Sequence, residues 1–431
     1  MKKSIYSFLT TVVFFTFSCT NQETLDTNPQ LSIKQAKTIR SFDEALQIAQ
    51  SSISLVDGTG QTRSGSPRKI DLNNWKIFEN DLKTRANSNS NDTLMYVFNF
   101  EDNQGFAIVS ASKETEGLIA VTESGSYDPS TSSDIDGFNI YMGMAKEYIQ
   151  NSMLQTNGER LSPTPFRKDS LVYHHNKIGP YINVYWGQTH PEGEFCPNGV
   201  AGCSITATAQ IMSYYQTPTS IDLTYENADR PTQYLNWSNI RFHLTKDYAS
   251  ECFDTVSHFA IGRLCRQLGE LANSTYNPAT DSTSASTSTN NGSLRLVFQG
   301  LGWNTGSWSS YDVSDVVTAI NNYHPLLVYG KRVKPNGVIS GHMWILDGYD
   351  DLETVTYRYE LVMASNEWIL TNVITSNERL FHLNWGWYGR SNGYFAANVF
   401  NASAVRFPDR PLDPVTYNYT GSISTLLTYP N

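Results

Sequence analysis

Cysteine is scarce in this sequence, with five residues among 431. The intervals from Cys196 to Cys203 and from Cys252 to Cys265 lack the tight C-x2–4-C pairs that zinc sites favour. We therefore predict no metal site, and we expect no cofactor. With Cys19 set aside, the four remaining cysteines allow three complete disulfide pairings, and the sequence does not choose among them.

Basic residues are also few relative to acidic ones. The chain carries 31 basic and 41 acidic residues, a formal net charge of −10, which argues against nucleic acid as a partner. Beyond the N-terminus, no apolar run approaches the ~20 residues that span a bilayer. The hydrophobic content of 39% and the charged content of 17% are ordinary for a globular protein.

The N-terminus has the features of an export signal. Two lysines precede an apolar run over residues 5–17 that is too short to span a membrane, and this pattern predicts a signal peptide over residues 1–18. The Ser18-Cys19 pair resembles a bacterial lipoprotein cleavage box, in which the cysteine becomes lipidated, although Phe17 is bulky for that motif. We expect an outer-membrane or cell-surface lipoprotein attached to the membrane through Cys19, or a secreted protein.

A tether and a small α+β domain are predicted next. Residues 19–33 are polar and without periodicity, which suits a tether, and residues 34–155 form the domain. Residues 156–177 are polar and contain two prolines, as expected of an exposed linker, where proteolysis concentrates. The elements predicted within the domain are a helix over 41–50, strands over 93–100, 105–112 and 117–123, and a helix over 138–154.

Residues 178–431 are predicted to form a larger domain in which helices precede a sheet. Helices are expected over 204–215, 252–272 and 313–322, and the Ser/Thr-rich tract at 280–293 suits a flexible surface loop. Helices followed by a sheet indicate an α+β fold. The predicted strands cover 326–329, 342–346, 354–363, 368–375, 380–385 and 394–396.

The segment around Cys203 gives the first indication of chemistry. Ile205, Ala209 and Met212 recur at helical spacing after the cysteine, which places Cys203 at the start of a helix. The free N–H groups and the positive dipole end of a helix N-terminus favour a thiolate there. The alternative is a small buried hydrophobic residue, and this segment alone supports both interpretations.

Later residues supply what a nucleophilic Cys203 would need. An adjacent imidazole from His342 would convert the thiol into an ion pair and could protonate a leaving amine. The Gln188 amide and the Cys203 N–H could stabilise an oxyanion. Asn384 could orient the imidazole and Trp385 could shield it from water. Each residue alone could equally be a turn or core residue, but their joint occurrence in this order favours catalysis.

Four motifs resemble those of the streptopain family of papain-clan cysteine peptidases, including its prodomain. They are WGQ at 186–188, AGCSITATAQIMSYYQTP at 201–218, GHMWILDGYD at 341–350 and HLNWGWYGRSNGYF at 382–395. The histidine follows the cysteine by 139 residues, inside the ~130–150 window of papain-like enzymes. The resemblance covers about residues 175–400 strongly and about residues 30–155 more weakly.

The resemblance implies a papain-like peptidase domain, with a helical part and an antiparallel sheet, preceded by a small α+β prodomain. It implies Cys203 as the nucleophile, His342 as the general acid and base, and Gln188 as the oxyanion donor. The position that orients the imidazole corresponds to Asn384 and Trp385, with tryptophan taking much of that role.

The cleft and its rim are also inferred from the resemblance. Trp387 and Gly341 are expected to contact substrate. Relative to papain, a long loop at 189–201 separates Gln188 from the cysteine, and a hairpin-like insertion at 351–379 is expected to extend the cleft rim.

The family further implies that residues 34–155 are a propeptide that inhibits the enzyme intramolecularly at high effective concentration. Release would follow cleavage in the linker, after Arg160, Arg167 or Lys168. The substrates would be proteins or peptides, with a hydrophobic residue at the second position before the cut.

Two other functions fit parts of the sequence. One is a catalytically silent family member that acts as a protease-binding or inhibitory surface protein, which a disulfide between Cys203 and Cys196 would favour. The other is a carbohydrate-binding surface lipoprotein, suggested by the export signal and an aromatic content of 13%.

Overall fold

The computed structural model of the chain describes residues 39–57, 67–79, 93–155, 166–244, 254–281, 283–333, 339–362, 364–404 and 423–431. The predicted signal peptide, the predicted tether, Cys19, Cys252 and Arg160 lie outside these residues. No helix within the described ranges combines the length and apolarity that a bilayer span requires.

The N-terminal part of the described chain contains the predicted order of a helix, a β-meander and a second helix. The first helix buries Ala45, Ala49 and Leu55. One strand that the sequence pattern does not predict, at residues 70–79, lies at the edge of the sheet and is mostly exposed or half-buried. The elements are α1 (Phe42–Asp57), β1 (Ile70–Glu79), β2 (Thr93–Phe100), β3 (Phe106–Ser110), β4 (Leu118–Thr122) and α2 (Asp136–Gln155), with a 3-10 turn at Glu101–Asn103.

The remainder of the chain begins with a strand, continues through helices and ends in long strands. Its helices are α3 (Cys203–Tyr215), α4 (Trp237–Leu244), α5 (Thr255–Leu271), α6 (Asn291–Gly300) and α7 (Val313–Asn321), with a 3-10 segment at Ala397–Ala404. Its strands are β5 (Phe166–Ile178), β6 (Ser220–Asp222), β7 (Thr232–Tyr234), β8 (Thr275–Asn277), β9 (Ser286–Ser288), β10 (Trp303–Thr305), β11 (Ser309–Ser310), β12 (Leu326–Val333), β13 (Ile339–Val362), β14 (Glu367–Asn384), β15 (Gly393–Ala396) and β16 (Ser424–Pro430).

Twelve strands form one antiparallel sheet that runs through both parts of the chain. The order is β1-β2-β3-β4-β15-β14-β13-β12-β16-β10, with β5 paired to β13 and β11 paired to β16. The meander joins the sheet through β4, where Ala120 and Val121 pair with Phe395 and Tyr394 of β15. The predicted α+β fold with an antiparallel sheet is confirmed.

Alternate residues of the central strand β13 face two different cores, as the pleat of a strand requires. Trp344 and Leu346 lie in a core shared with α2 and the meander. Met343 and Ile345 lie in a second core with α3 and α5. The sheet therefore separates the helix that begins at Cys203 from the helix that ends the N-terminal region.

Two segments differ from the loops predicted for them. Residues 166–177 of the expected linker, together with Ile178, form β5, which pairs along β13 from Tyr349 to Glu360. The polar composition of this segment does not predict a strand, because β5 is stabilised by main-chain hydrogen bonds to a strand far along the chain. The tract at 280–293 contains β9 and the start of α6, where the Asn290 side chain caps the helix by accepting from the amides of Gly292 and Ser293.

Candidate active site

Cys203 is the first residue of α3, which lies in the second core. The residues from Ser204 to Ser213 are all buried, so packing fixes this helix around its whole circumference. Gly202 precedes it with a φ of +89° and lies against Thr287 of β9, where a side chain would be both strained and crowded. These contacts fix the sulfur at the helix N-terminus, where Cys203 stays partly exposed.

His342 lies in β13, opposite Gly330 of β12, and is 3% exposed. Its ring stacks on Trp344, with 6.3 Å between ring centroids. Its Nε2 atom lies 3.0 Å from the carbonyl oxygen of Trp385. Because a carbonyl oxygen only accepts, Nε2 must carry the hydrogen, and this leaves Nδ1 for the thiol.

Cys203 and His342 are electrostatically coupled. Burial alone raises the pKa of the Cys203 thiol, but attraction to the His342 imidazole and hydrogen bonding with it bring that pKa below its ordinary value. Burial alone lowers the pKa of His342, but the Cys203 charge and the bond to Trp385 raise it above its ordinary value. The two opposite shifts favour a thiolate–imidazolium pair.

Gln188 lies in a loop that is tied to the start of α3. The carbonyl oxygen of Gly187 accepts a 2.7 Å hydrogen bond from the Thr206 hydroxyl, and that of Gln188 accepts one of 2.7 Å from the Ala201 amide. The main chain of Gln188 is therefore held close to the cysteine, and its side chain is partly exposed. This is a suitable place for an oxyanion donor, although that role stays a prediction.

The side chains of Asn384 and Trp385 hydrogen-bond to groups other than the His342 ring. The Asn384 Oδ1 atom accepts from the Gly386 amide at 3.1 Å, and its Nδ2 donates to the Val184 carbonyl at 3.2 Å. Asn384 therefore shapes the turn that carries Trp385, whose main-chain carbonyl is the group that meets His342.

The Trp385 indole is fully buried beside the imidazole. It packs against Trp344 and Phe395 at ring-centroid distances of 5.3 Å and 5.2 Å, and its Nε1 donates to the Ser391 carbonyl at 2.9 Å. This placement is suited to shielding the Cys203–His342 pair from water.

The two residues predicted to contact substrate have different surroundings. Gly341 is exposed and lies under Tyr329, whose hydroxyl would be 2.3 Å from a Cβ at this position. Burial and the nearby Cys203 raise the pKa of Tyr329, so this tyrosine, which sequence reasoning missed, also borders the site. Trp387 is half-buried, with the Arg390 guanidinium 6.0 Å from its ring centroid.

Family comparisons cover these same positions. Residues 183–395 match the peptidase C10 family, and this span includes the cysteine, the histidine and Gln188. The chain belongs to this family, the streptopain family of cysteine peptidases. Residues 36–149 match the Spi protease inhibitor family, which places an inhibitor-like region before the C10 peptidase region.

Individual proteins are also similar to this chain, over different shares of its length. Streptopain from Streptococcus pyogenes serotype M1 is 26% identical over 423 residues, which cover 90% of each chain. The thiol protease/hemagglutinin PrtT from Porphyromonas gingivalis is 21% identical over 344 residues, 73% of this chain and 35% of the relative. Among solved structures, a prointerpain A fragment from Prevotella intermedia has a TM-score of 0.49 at 17% identity and covers 82% of this chain and 98% of the fragment. Active interpain A has a TM-score of 0.37 at 18% identity and covers 58% and 94%.

In this C10 peptidase, the N-terminus of α2 lies directly on the candidate histidine. A Cβ at Gly137 would be 2.5 Å from Cδ2 of His342 and 2.7 Å from Cε3 of Trp385. The preceding Asp136 pairs with Arg332 at 2.6 Å. Sequence reasoning missed this contact because it began the helix at residue 138, and an Asp-Gly pair carries no signal of what it will touch.

A second buried histidine, His382 in the motif at 382–395, has a structural partner. Nδ1 of His382 lies 2.6 Å from Oδ1 of Asp347, whose other oxygen accepts from the Ile182 amide at 2.8 Å. Burial lowers the pKa of an imidazole, but the Asp347 carboxylate raises that of His382 to about 10. The register of β13 against β14 shifts between Leu346 and Gly348, and the Asp347 side chain at this shift is fully buried.

The described cysteines Cys196, Cys203 and Cys265 are all free. Burial raises the pKa of both Cys196, to about 11, and Cys265, so Cys203 is the described cysteine suited to nucleophilic chemistry. Within the described ranges, no group of three His, Cys, Asp or Glu side chains is arranged to hold a metal ion.

Proposed function

We propose that this chain is the latent precursor of an exported cysteine endopeptidase that hydrolyses peptide bonds in proteins or peptides. The observation that carries the proposal is the coupling of Cys203 to His342, which lowers the pKa of the thiol and raises that of the imidazole. Membership of the C10 family and the similarity to streptopain support it.

The proposed reaction proceeds in two stages. The Cys203 thiolate attacks the peptide carbonyl carbon, and the oxyanion of the tetrahedral intermediate accepts hydrogen bonds from the Gln188 amide and the Cys203 N–H. The His342 imidazolium then gives its Nδ1 proton to the leaving amine as the C–N bond breaks, which leaves a thioester. A water molecule gives a proton to His342 and attacks the thioester, releasing the acid and restoring the thiolate.

Latency follows from the position of α2 in this proposal. The close approach of Gly137 to the imidazole occupies one side of His342, and the Asp134–Arg390 pair at 2.7 Å adds a further contact between the two regions. A covalently attached inhibitor acts at high effective concentration, so cleavage between the regions is needed before it can leave.

The test compares the wild-type full chain with Cys203→Ala under reducing conditions. We expect the wild type to process itself, to hydrolyse casein and to form an adduct with a thiol-directed epoxide on Cys203. The Cys203→Ala chain should stay intact and inactive. Absence of both the adduct and casein hydrolysis in the wild type would refute the proposal.

Export belongs to the same proposal, with lipid attachment through Cys19 as its finer form. Labelling of cells with a radioactive fatty acid should mark the wild-type protein and not Cys19→Ala. A secreted, unlabelled protein would instead indicate plain secretion.

A second candidate function is that of a catalytically silent family member that inhibits other peptidases. It is favoured by the match of residues 36–149 to the Spi protease inhibitor family. In that case the Cys203→Ala chain would inhibit a test peptidase as well as the wild type does, and neither chain would hydrolyse casein.

A further inference from the structure

Tyr388 lies within the motif at 382–395, directly after Trp387, and takes no part in the reaction described above. Its main chain has a φ of +57°, in the left-handed region that favours glycine. A tyrosine held in this conformation requires support from its surroundings, and such residues concentrate at functional sites. The contacts of Tyr388 indicate what that function is.

Tyr388 contacts the residues on both sides of Gln188. Its ring lies on Gly187, where an added Cβ would be 2.1 Å from the Tyr388 Cζ atom. Its hydroxyl oxygen accepts a hydrogen bond from the Thr189 amide at 3.0 Å and shares a second with the Thr189 hydroxyl at 2.5 Å. Its own amide donates to the Trp186 carbonyl at 3.2 Å.

The first turn of α3 holds the same segment from its other side. The Thr206 hydroxyl bonds to the carbonyl of Gly187, and the Ala201 amide bonds to the carbonyl of Gln188. The main chain at Gln188 is thus fixed between the cysteine-bearing helix and Tyr388, whereas the amide side chain of Gln188 is partly exposed.

We propose that Tyr388 is a positioning residue that clamps residues 186–189, so that the Gln188 amide is aimed at the oxyanion formed by attack of Cys203. The inference rests on the proposed function, because the clamp has catalytic value only if Gln188 is the donor. A donor stabilises an oxyanion in proportion to how well it is pre-positioned, and a misplacement of about 1 Å can cost about 10²-fold in rate.

The first test is Tyr388→Phe, which keeps the ring on Gly187 and removes the hydroxyl. After self-processing of the full chain, we expect kcat to fall about tenfold, with KM changed less than about twofold, because the change acts on the transition state. Gln188→Ala should lose about 10² or more in kcat. Adding Tyr388→Phe to Gln188→Ala should have no further effect, since coupled residues are not additive.

The second test follows the clamp itself, in full chains that carry Cys203→Ala. Hydrogen exchange of the Thr189 amide should be faster in Tyr388→Phe, because this amide loses its acceptor. The exposed Tyr234 provides the control Tyr234→Phe, which should change neither exchange nor kcat. Unchanged exchange in Tyr388→Phe, or unchanged kcat, would overturn the proposal.

Two further outcomes separate this inference from the proposed function. If Tyr388→Phe lowered kcat by the same factor in the wild-type and Gln188→Ala backgrounds, Tyr388 would not act through Gln188, and the proposal would be overturned. Epoxide labelling of Cys203 should be unaffected by Tyr388→Phe, because it needs the thiolate and not the oxyanion donor. Absence of Cys203 labelling in the wild type would refute the proposed function. The catalytic role of the clamp would then be refuted too, even if exchange of the Thr189 amide were faster in Tyr388→Phe.

Discussion

The carbonyl oxygen of Trp385 lies 3.0 Å from Nε2 of His342, so the main chain is the group that hydrogen-bonds to this imidazole. Asn384 supports the arrangement indirectly, by accepting from the Gly386 amide on the far side of Trp385. The tautomer of His342 is thereby fixed with Nδ1 available to Cys203. The pairing of the Cys203 thiol with the His342 imidazole thus depends on the conformation of the turn at residues 384–386.

The first prediction concerns the ionisation of Cys203. Because His342 lowers the pKa of this thiol, alkylation of the full chain by iodoacetamide should remain fast below the pH at which an ordinary thiol ionises. In His342→Ala, the effect of burial on the thiol pKa is offset less, so the midpoint of alkylation should move to higher pH. The measurement is the alkylation rate against pH, with mass spectrometry to locate the label. Buried Cys196 and Cys265 should stay unlabelled, and identical midpoints in the two proteins would contradict the prediction.

The second prediction concerns Asn384→Ala. The substitution leaves the buried Gly386 amide without its acceptor, and a buried unpaired group costs about 1–3 kcal/mol. The Val184 carbonyl keeps the hydrogen bond that Gln210 donates to it. We expect a lower midpoint of thermal unfolding in a Cys203→Ala background, and a loss of kcat much smaller than that of His342→Ala. An unchanged midpoint, together with a loss of kcat as large as that of His342→Ala, would mean that Asn384 acts directly on the imidazole.

The sequence was sufficient to predict α3 and the candidate residues on it, because helical spacing and the motif around Cys203 are local properties. It could not assign the carbonyl of Trp385, since every residue has one and only the fold decides which carbonyl meets a histidine. The strand β5 was also missed, because its partner residues in β13, from Tyr349 to Glu360, are far along the chain. Tyr388 lies in the motif at 382–395, but the motif assigns it no role, since that role depends on a φ angle and on the proximity of Gly187.

The third prediction concerns latency. In Gly137→Ala, the added methyl group would overlap the rings of His342 and Trp385, and overpacking of this kind costs about 1–3 kcal/mol. At about 1.4 kcal/mol per tenfold, the uninhibited fraction of the unprocessed chain should rise roughly five- to a hundredfold. The measurement is the rate of epoxide labelling and self-processing of the full chain. Gly300→Ala is the matched control, because no atom lies within 4 Å of a Cβ at Gly300. Equal rates in both variants would contradict the prediction.

The fourth prediction concerns the activation cut. The main chains of Arg167 and Lys168 pair with Tyr359 and Arg358 of β13, and a strand bonded into a sheet must first open before a peptidase can cleave it. Of the three candidate sites, we therefore expect cleavage after Arg160. N-terminal sequencing of the processed enzyme should give a start before residue 166, and Arg160→Ala should slow processing more than Arg167→Ala does. A new N-terminus at residue 168 or 169 would show that β5 opens during activation.

The last prediction concerns Glu192, which is fully buried in the loop between Gln188 and Cys203. Burial raises the pKa of this carboxyl from 4.5 to about 8, so the folded chain holds a proton that the unfolded chain releases. The stabilisation is complete below about pH 4.5 and is lost as the pH rises through about 8, a difference of roughly 5 kcal/mol between the limits.

In Glu192→Gln this part of the pH dependence should vanish, because the amide cannot ionise. The measurement is the free energy of unfolding in urea between about pH 5 and about pH 9, in full chains with Cys203→Ala. Glu226→Gln is the control, since Glu226 is exposed and lies outside the loop between Gln188 and Cys203. Its curve should therefore keep the wild-type slope.

Parallel curves for the wild type and Glu192→Gln would mean that Glu192 is ionised in the fold. A charged group buried in this loop would then need a partner, and Tyr388, whose pKa is raised by burial and by Glu192, would be the first residue to substitute.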